Sequence, residues 1–157
     1  MAVRTIAQLL AEHQLLAGLD EATVEFIAGC GRNAHFAADE YLFRENDPAD
    51  RFYILRQGRV ALEAHVPGRG TLVIDTVGPD ALLGFSWLVP PYRWTWDGRA
   101  IEPVRAVELD GACIRARCQE DPRLGFELMQ RLVAVVQGRL RSARIRLLDL
   151  YGGDGAG

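Results

Sequence analysis

The residues with most chemistry in reserve crowd into one stretch. Phe85-Ser86-Trp87-Leu88-Val89-Pro90-Pro91-Tyr92-Arg93-Trp94-Thr95-Trp96 holds all three tryptophans of the chain, with one Phe, one Tyr and one Arg. Aromatic faces stack flat or apolar ligands, and a guanidinium holds an anion through charge-assisted hydrogen bonds. The stretch reads in three ways. It is a pocket with Arg93 as anion handle, a set of rings filling a cavity as core, or an exposed aromatic patch for a partner. Two adjacent prolines fix the loop before Tyr92. On a strand, Trp94 and Trp96 share one face.

Elsewhere the chemistry is sparse. His13, His35 and His65 fall in different elements with no shared spacing, so no metal site is expected. Cys113 and Cys118 stand on different faces of a helix, and Cys30 is far away in sequence. They read as buried, reduced structural thiols rather than a redox or iron–sulfur cluster. There is no recognisable nucleophile–base–orienter set and no G-x-x-x-x-G-K loop. Pro67-Gly68-Arg69-Gly70 reads as a hairpin turn, not a phosphate nest. The expectation is a protein that is not an enzyme.

The elements that must position these residues come from a chain of 157 residues, 49% hydrophobic and 25% charged. That is one globular domain. The 18 basic residues are all Arg, against 21 acidic ones, for a net charge of -3. A net negative domain is a poor start for phosphate neutralisation, so nucleic acid is not an expected partner. The N-terminus has no apolar signal-peptide core, and no uncharged run approaches the roughly 20 residues of a membrane span. The reading is cytoplasmic, without membrane attachment.

Three zones follow. Residues 4–32 read helical, with Ile6, Leu9, Leu10, Leu15, Leu16 and Leu19 at helical spacing and Asp20 as N-cap of a second helix. Residues 33–109 read as short strands between turn clusters such as Asn46-Asp47-Pro48 and Gly78-Pro79-Asp80. A strand pair is expected at about 94–109, broken near Glu102-Pro103. Residues 110–151 return to helix, with Asp121 as a cap and Pro122 at the first helical position. Residues 1–151 form the single domain, and 152–157 read as a flexible Gly-rich tail.

Glu45-Asn46-Asp47-Pro48-Ala49-Asp50, the strand Arg51–Gln57, Gly58 and Val60 resemble the cyclic nucleotide-binding domain family of Crp/Fnr-like sensors. Leu15–Asp20, Gly78-Pro79-Asp80 and Gly84 extend the resemblance over about residues 8–150. It implies an α+β, mainly β fold: a jelly-roll β-barrel flanked by N-terminal helices and a long C-terminal helix. Asn46 stands where the family has a turn Gly, and Asn tolerates the left-handed region. Gly84 matches the family's Gly-Glu, but Phe85 occupies the Glu position and cannot accept from a ribose hydroxyl. Counting to the phosphate-binding Arg lands on Trp94, and a one-residue slip lands on Arg93. The candidate ligand residues are therefore Gly84, Phe85, Ser86, Trp87, Arg93, Trp94, Thr95 and Trp96.

The resemblance implies a non-enzymatic regulatory ligand sensor with a degenerate phosphate cassette. The alternatives are a ligand-free interaction or dimerisation scaffold, and a true cAMP or cGMP binder with an atypical cassette. No cofactor is certain; a cyclic nucleotide or another small ligand is the candidate. In relatives a helix-turn-helix domain follows the closing helix; here the chain ends at Gly157, and no DNA-reading domain is expected. The closing helix implies a homodimer, with Leu128, Leu132, Val135, Val136 and Leu140 as its seam, or a docked protein partner. Truncation near Asp121 is expected to abolish that dimer. The cluster Arg139, Arg141, Arg144 and Arg146 reads as a solvated helix face or a partner of acidic residues.

Overall fold

The computed structural model describes residues 4–154. The chain opens with two short helices, α1 (Ile6–Glu12) and α2 (Glu21–Gly29). Thr5 and Gln8 form a reciprocal capping box on α1, and the Asp20 carboxylate accepts from the Thr23 amide at the start of α2. Eight strands follow: β1 (Gly31–Phe36), β2 (Tyr41–Phe43), β3 (Arg51–Gln57), β4 (Val60–Val66), β5 (Gly70–Val77), β6 (Leu82–Leu83), β7 (Asp97–Ala100) and β8 (Val104–Asp110). Two helices close the fold, α3 (Gly111–Glu120) and α4 (Pro122–Asp154).

The strands make two antiparallel four-stranded sheets, ordered β1-β8-β3-β6 and β2-β7-β4-β5. This is the jelly-roll arrangement, but the two sheets are not joined edge to edge into a closed barrel. Residues 94–96, expected as strand, are irregular, and β7 begins only at Asp97. Asn46 turns the chain at φ +72°, as its type allows. Helix α4 continues through Gly152 to Asp154, beyond the start of the expected tail, and residues 155–157 of that tail lie outside the described residues. Among the described residues, no helix is long and apolar enough to cross a membrane.

Strand alternation divides the core in two. Tyr53 and Leu55 of β3 face the second sheet and join Phe43, Val60, Ala100 and Ala106 between the layers. Phe52 and Ile54 face the other way and meet the helices through Leu10, Leu16, Ile27, Trp87, Ile114, Leu128 and Leu132. His13 is spent on structure. Its Nε2 donates to the Asp80 carbonyl at 2.7 Å and its Nδ1 accepts from the Leu15 amide at 3.1 Å. His35 and His65 are exposed on separate strands.

Glu108 ties three strands together. Its carboxylate on β8 takes Arg32 from β1 and Arg51 from β3, the latter at 3.0 Å. Burial raises its pKa, but the hydrogen bonds and charges of the two guanidinium groups outweigh burial and hold it below the ordinary value. A carboxylate depressed in the folded state stabilises above the unfolded carboxylate range, about pH 4.3, and loses that contribution as pH falls through its folded value. The melting temperature of Glu108→Gln is therefore expected to lie below the wild type at pH 7. The gap should close as pH falls below about 4.3; a gap independent of pH would remove the ion pairs as its cause.

Candidate functional site

The sequence-predicted site residues separate. Gly84, Phe85, Ser86, Trp94, Thr95 and Trp96 line one cavity of about 550 Å³ between the second sheet and α4. Trp87 and Arg93 do not reach it.

Gly84 follows β6 at φ +112°, where a side chain is strained. A Cβ there would also stand 2.8 Å from the Trp94 ring. Trp94 is seated against that bare backbone and stacks on Phe43, with centroids 3.8 Å apart and planes 10° from parallel. Its backbone is pinned to the Asn46-Asp47 turn by Trp94 N–H to Asp47 O at 3.0 Å and Asn46 N–H to Trp94 O at 2.8 Å. Pro48 and Arg93 bridge in antiparallel fashion beside them. In an extended segment neighbours point to opposite sides. Trp94 is therefore inside, and Arg93 is outside and exposed, donating to the Asn46 carbonyl at 2.8 Å. Arg93 is not the anion handle of this cavity.

The other two tryptophans diverge as well. Trp87 sits in a 3-10 turn at Ser86–Leu88, fully buried and stacked on Phe52 at 4.7 Å. Its Nε1 donates to the Gly84 carbonyl at 3.1 Å, and Gly111, at the start of α3, leaves room for its ring. It is core. Trp96 remains 42% exposed at the cavity mouth, while Trp94 is buried. The aromatic stretch thus divides: Trp87 and Trp94 fill space, while Trp96 lies open.

Helix α4 supplies what the sequence reading left out. Val136, Arg139, Leu140, Ala143 and Arg146 recur at three- and four-residue steps and form the helix side of the cavity. Arg146 Nη1 pairs with Asp75 of β5 at 3.1 Å and fastens the helix across the sheet. The Arg139 guanidinium lies 5.2 Å above the Phe85 ring, and its Nη2 is buried without a hydrogen-bond partner. Burial lowers its pKa, with Asp75 opposing. Arg139 is thus not solvated, whereas Arg146 stays half-exposed and partners the acidic Asp75, as one of the two expected readings had it. Their phase on the helix, shared with Val136 and Leu140, is the signal that places them here.

The expected dimer seam needs the same correction. Leu128 and Leu132 are each only 2% exposed and pack into the chain's own helix–sheet core, with Val135 beside them. Of the five seam residues only Val136 and Leu140 remain exposed. A different stripe lies open: Phe126, Val133, Leu140 and Leu147 at heptad spacing, with Val136 and Leu150 three residues after Val133 and Leu147.

The fold agrees with what comparison with known proteins finds. Residues 33–121 match the cyclic nucleotide-binding domain family. The chain belongs to that family. It is 25% identical over 143 residues to a CRP-like cAMP-activated global transcriptional regulator of Mycobacterium tuberculosis, covering 91% of this chain and 62% of the relative. The chain thus spans about three fifths of that relative's length. A Geobacter metallireducens structure assigned to cyclic nucleotide binding superposes with TM-score 0.78 at 29% identity, over 88% of this chain and 99% of the other. The N-terminal domain of a Streptomyces coelicolor transcriptional regulator gives TM-score 0.63 at 28% identity, over 89% and 95%.

Proposed function

We propose that this cyclic nucleotide-binding domain is a regulatory ligand sensor whose cavity takes a planar, largely apolar anion instead of cAMP or cGMP in the family's usual pose. The observation that carries the reading is the exchange at 93 and 94. The guanidinium expected for a cyclic phosphate faces solvent, and a tryptophan ring occupies the inner position against Gly84. Phe85 removes the carboxylate for a ribose hydroxyl. What remains is a mostly aromatic and aliphatic lining, joined by Ser86, Thr95 and the Asp75–Arg146 pair, with one unpartnered buried nitrogen, on Arg139. A buried donor without an acceptor costs about 1–3 kcal/mol, which a bound anion recovers. The ligand lies between the second sheet and α4, so occupancy biases the position of that helix. The output passes through a homodimer formed by the open stripe of α4.

The test is intrinsic tryptophan fluorescence and thermal melting. cAMP, cGMP and anilinonaphthalene sulfonate, a planar aromatic anion, are titrated against wild type and Arg139→Ala. The sulfonate is expected to quench saturably and raise the melting temperature, and Arg139→Ala to weaken it about tenfold to a hundredfold, the range for losing a charge-assisted bond. Saturable binding of cAMP or cGMP at comparable affinity would overturn the reading.

A further inference from the structure

We infer that Cys30 and Cys113 form an oxidant-driven dithiol–disulfide pair that crosslinks the end of α2 to the first turn of α3. They are 83 positions apart in sequence, yet their Sγ atoms lie 2.8 Å apart. The sequence reading kept them separate, because nothing local joins them.

The closeness is built into the backbone. β1 and β8 pair in antiparallel register from Phe36↔Val104 to Gly31↔Leu109. The ladder continues one step further, with the Asp110 amide donating to the Cys30 carbonyl at 2.8 Å. The Asp110 carboxylate then caps α3 by accepting from the Cys113 amide at 3.0 Å. The Asp50 carbonyl holds the same turn through the Gly111 amide at 2.8 Å. Both cysteines are thus placed by hydrogen bonds on either side, not by mobile loops. They lie on the floor of a cleft of about 430 Å³ that also includes Asp50, Arg51 and Asp110, and both are half-buried. A small oxidant can reach them. Cys118, the third thiol, packs against the helix–sheet core and does not line this cleft.

The reaction needs hydrogen peroxide as co-reactant. One of the two thiols ionises and its thiolate attacks the peroxide: an S–O bond forms, the O–O bond breaks, and the departing hydroxide takes up the released thiol proton and leaves as water. The other sulfur then attacks the sulfenic sulfur, the S–S bond forms, and the sulfenic oxygen leaves as a second water carrying the remaining thiol proton. Two thiols lose two electrons and the peroxide gains them. Burial, together with the neighbouring Cys113 and Asp110, pushes the Cys30 pKa up to about 12, so Cys30 stays a thiol at neutral pH. Because α3 runs directly into α4, the bond fastens the root of the closing helix to the first sheet.

The experiment treats the full chain with hydrogen peroxide or with dithiothreitol, then alkylates, digests and analyses it by mass spectrometry. Oxidation is expected to link the Cys30 and Cys113 peptides and leave Cys118 alkylated, and to raise the melting temperature by roughly 5–15 °C, the usual yield of a long-loop disulfide. Cys118→Ser should change nothing. Cys30→Ser and Cys113→Ser should each abolish the link and the gain in melting temperature. A link to Cys118, a link between chains, or all three cysteines alkylated after peroxide would overturn the pair.

Discussion

Replacing Trp87 by alanine is expected to lower the unfolding free energy by about 3–5 kcal/mol, the range for emptying a well-packed aromatic site. The ring is fully buried and joins three elements: Phe52 of β3 beneath it, Gly111 of α3 above, and the Gly84 carbonyl at its Nε1. Substitution leaves a cavity on all three sides and a carbonyl without its donor. For a domain of this size the melting temperature should fall by roughly 6–20 °C. Trp96→Ala is the matched control. Trp96 is open to solvent, so its loss should cost within about 0.5 kcal/mol while removing a ring from the cavity mouth. Chemical denaturation of the two variants separates them. A Trp87→Ala loss below about 1 kcal/mol would mean that the helix layer is far looser than its packing implies.

Val133→Asp with Leu147→Asp is expected to convert the proposed dimer into a monomer. Val133 and Leu147 are 55% and 53% exposed and stand outside the cavity lining, so the change spares both the core and the ligand site. Burying one such aliphatic side chain is worth about 1.5–3 kcal/mol, and a two-fold axis counts every change twice. Association should weaken by at least about a thousandfold. Light scattering after gel filtration reads the mass directly. An unchanged mass would remove this stripe as the interface, and a single-chain mass for the wild type would remove the dimer. Truncation near Asp121 is a poor substitute, because it also deletes Leu128 and Leu132 from the core.

What was legible in the sequence was local. Asp20 and Asp121 cap helices through their own amide neighbours, Asn46 turns the chain by its own torsion, and the short strands alternate by their own side chains. The family's turn and strand pattern then supplied the topology that joins them. What failed was phase. In the irregular run after Pro91, a one-residue slip decides whether Arg93 or Trp94 faces inward, and only pairing with the Asn46-Asp47 turn fixes it. Helix α4 carries apolar residues on two faces, and periodicity alone does not say which one meets the chain's own core. Arg139 looked like one charge among several until the sheet beneath it gave the helix an inside. The Cys30–Cys113 contact depends on closing the β1–β8 ladder across most of the chain, which no window of sequence contains.

Val136 and Leu140 belong to the cavity wall and to the open stripe at once. A second chain laid along that stripe would therefore change what the ligand touches, and a ligand would change what the second chain touches. Thermodynamic reciprocity makes the two effects equal in free energy. Ligand affinity in this protein should then vary with protein concentration. A dilution series at fixed ligand would read the coupling between site and partner without any mutation.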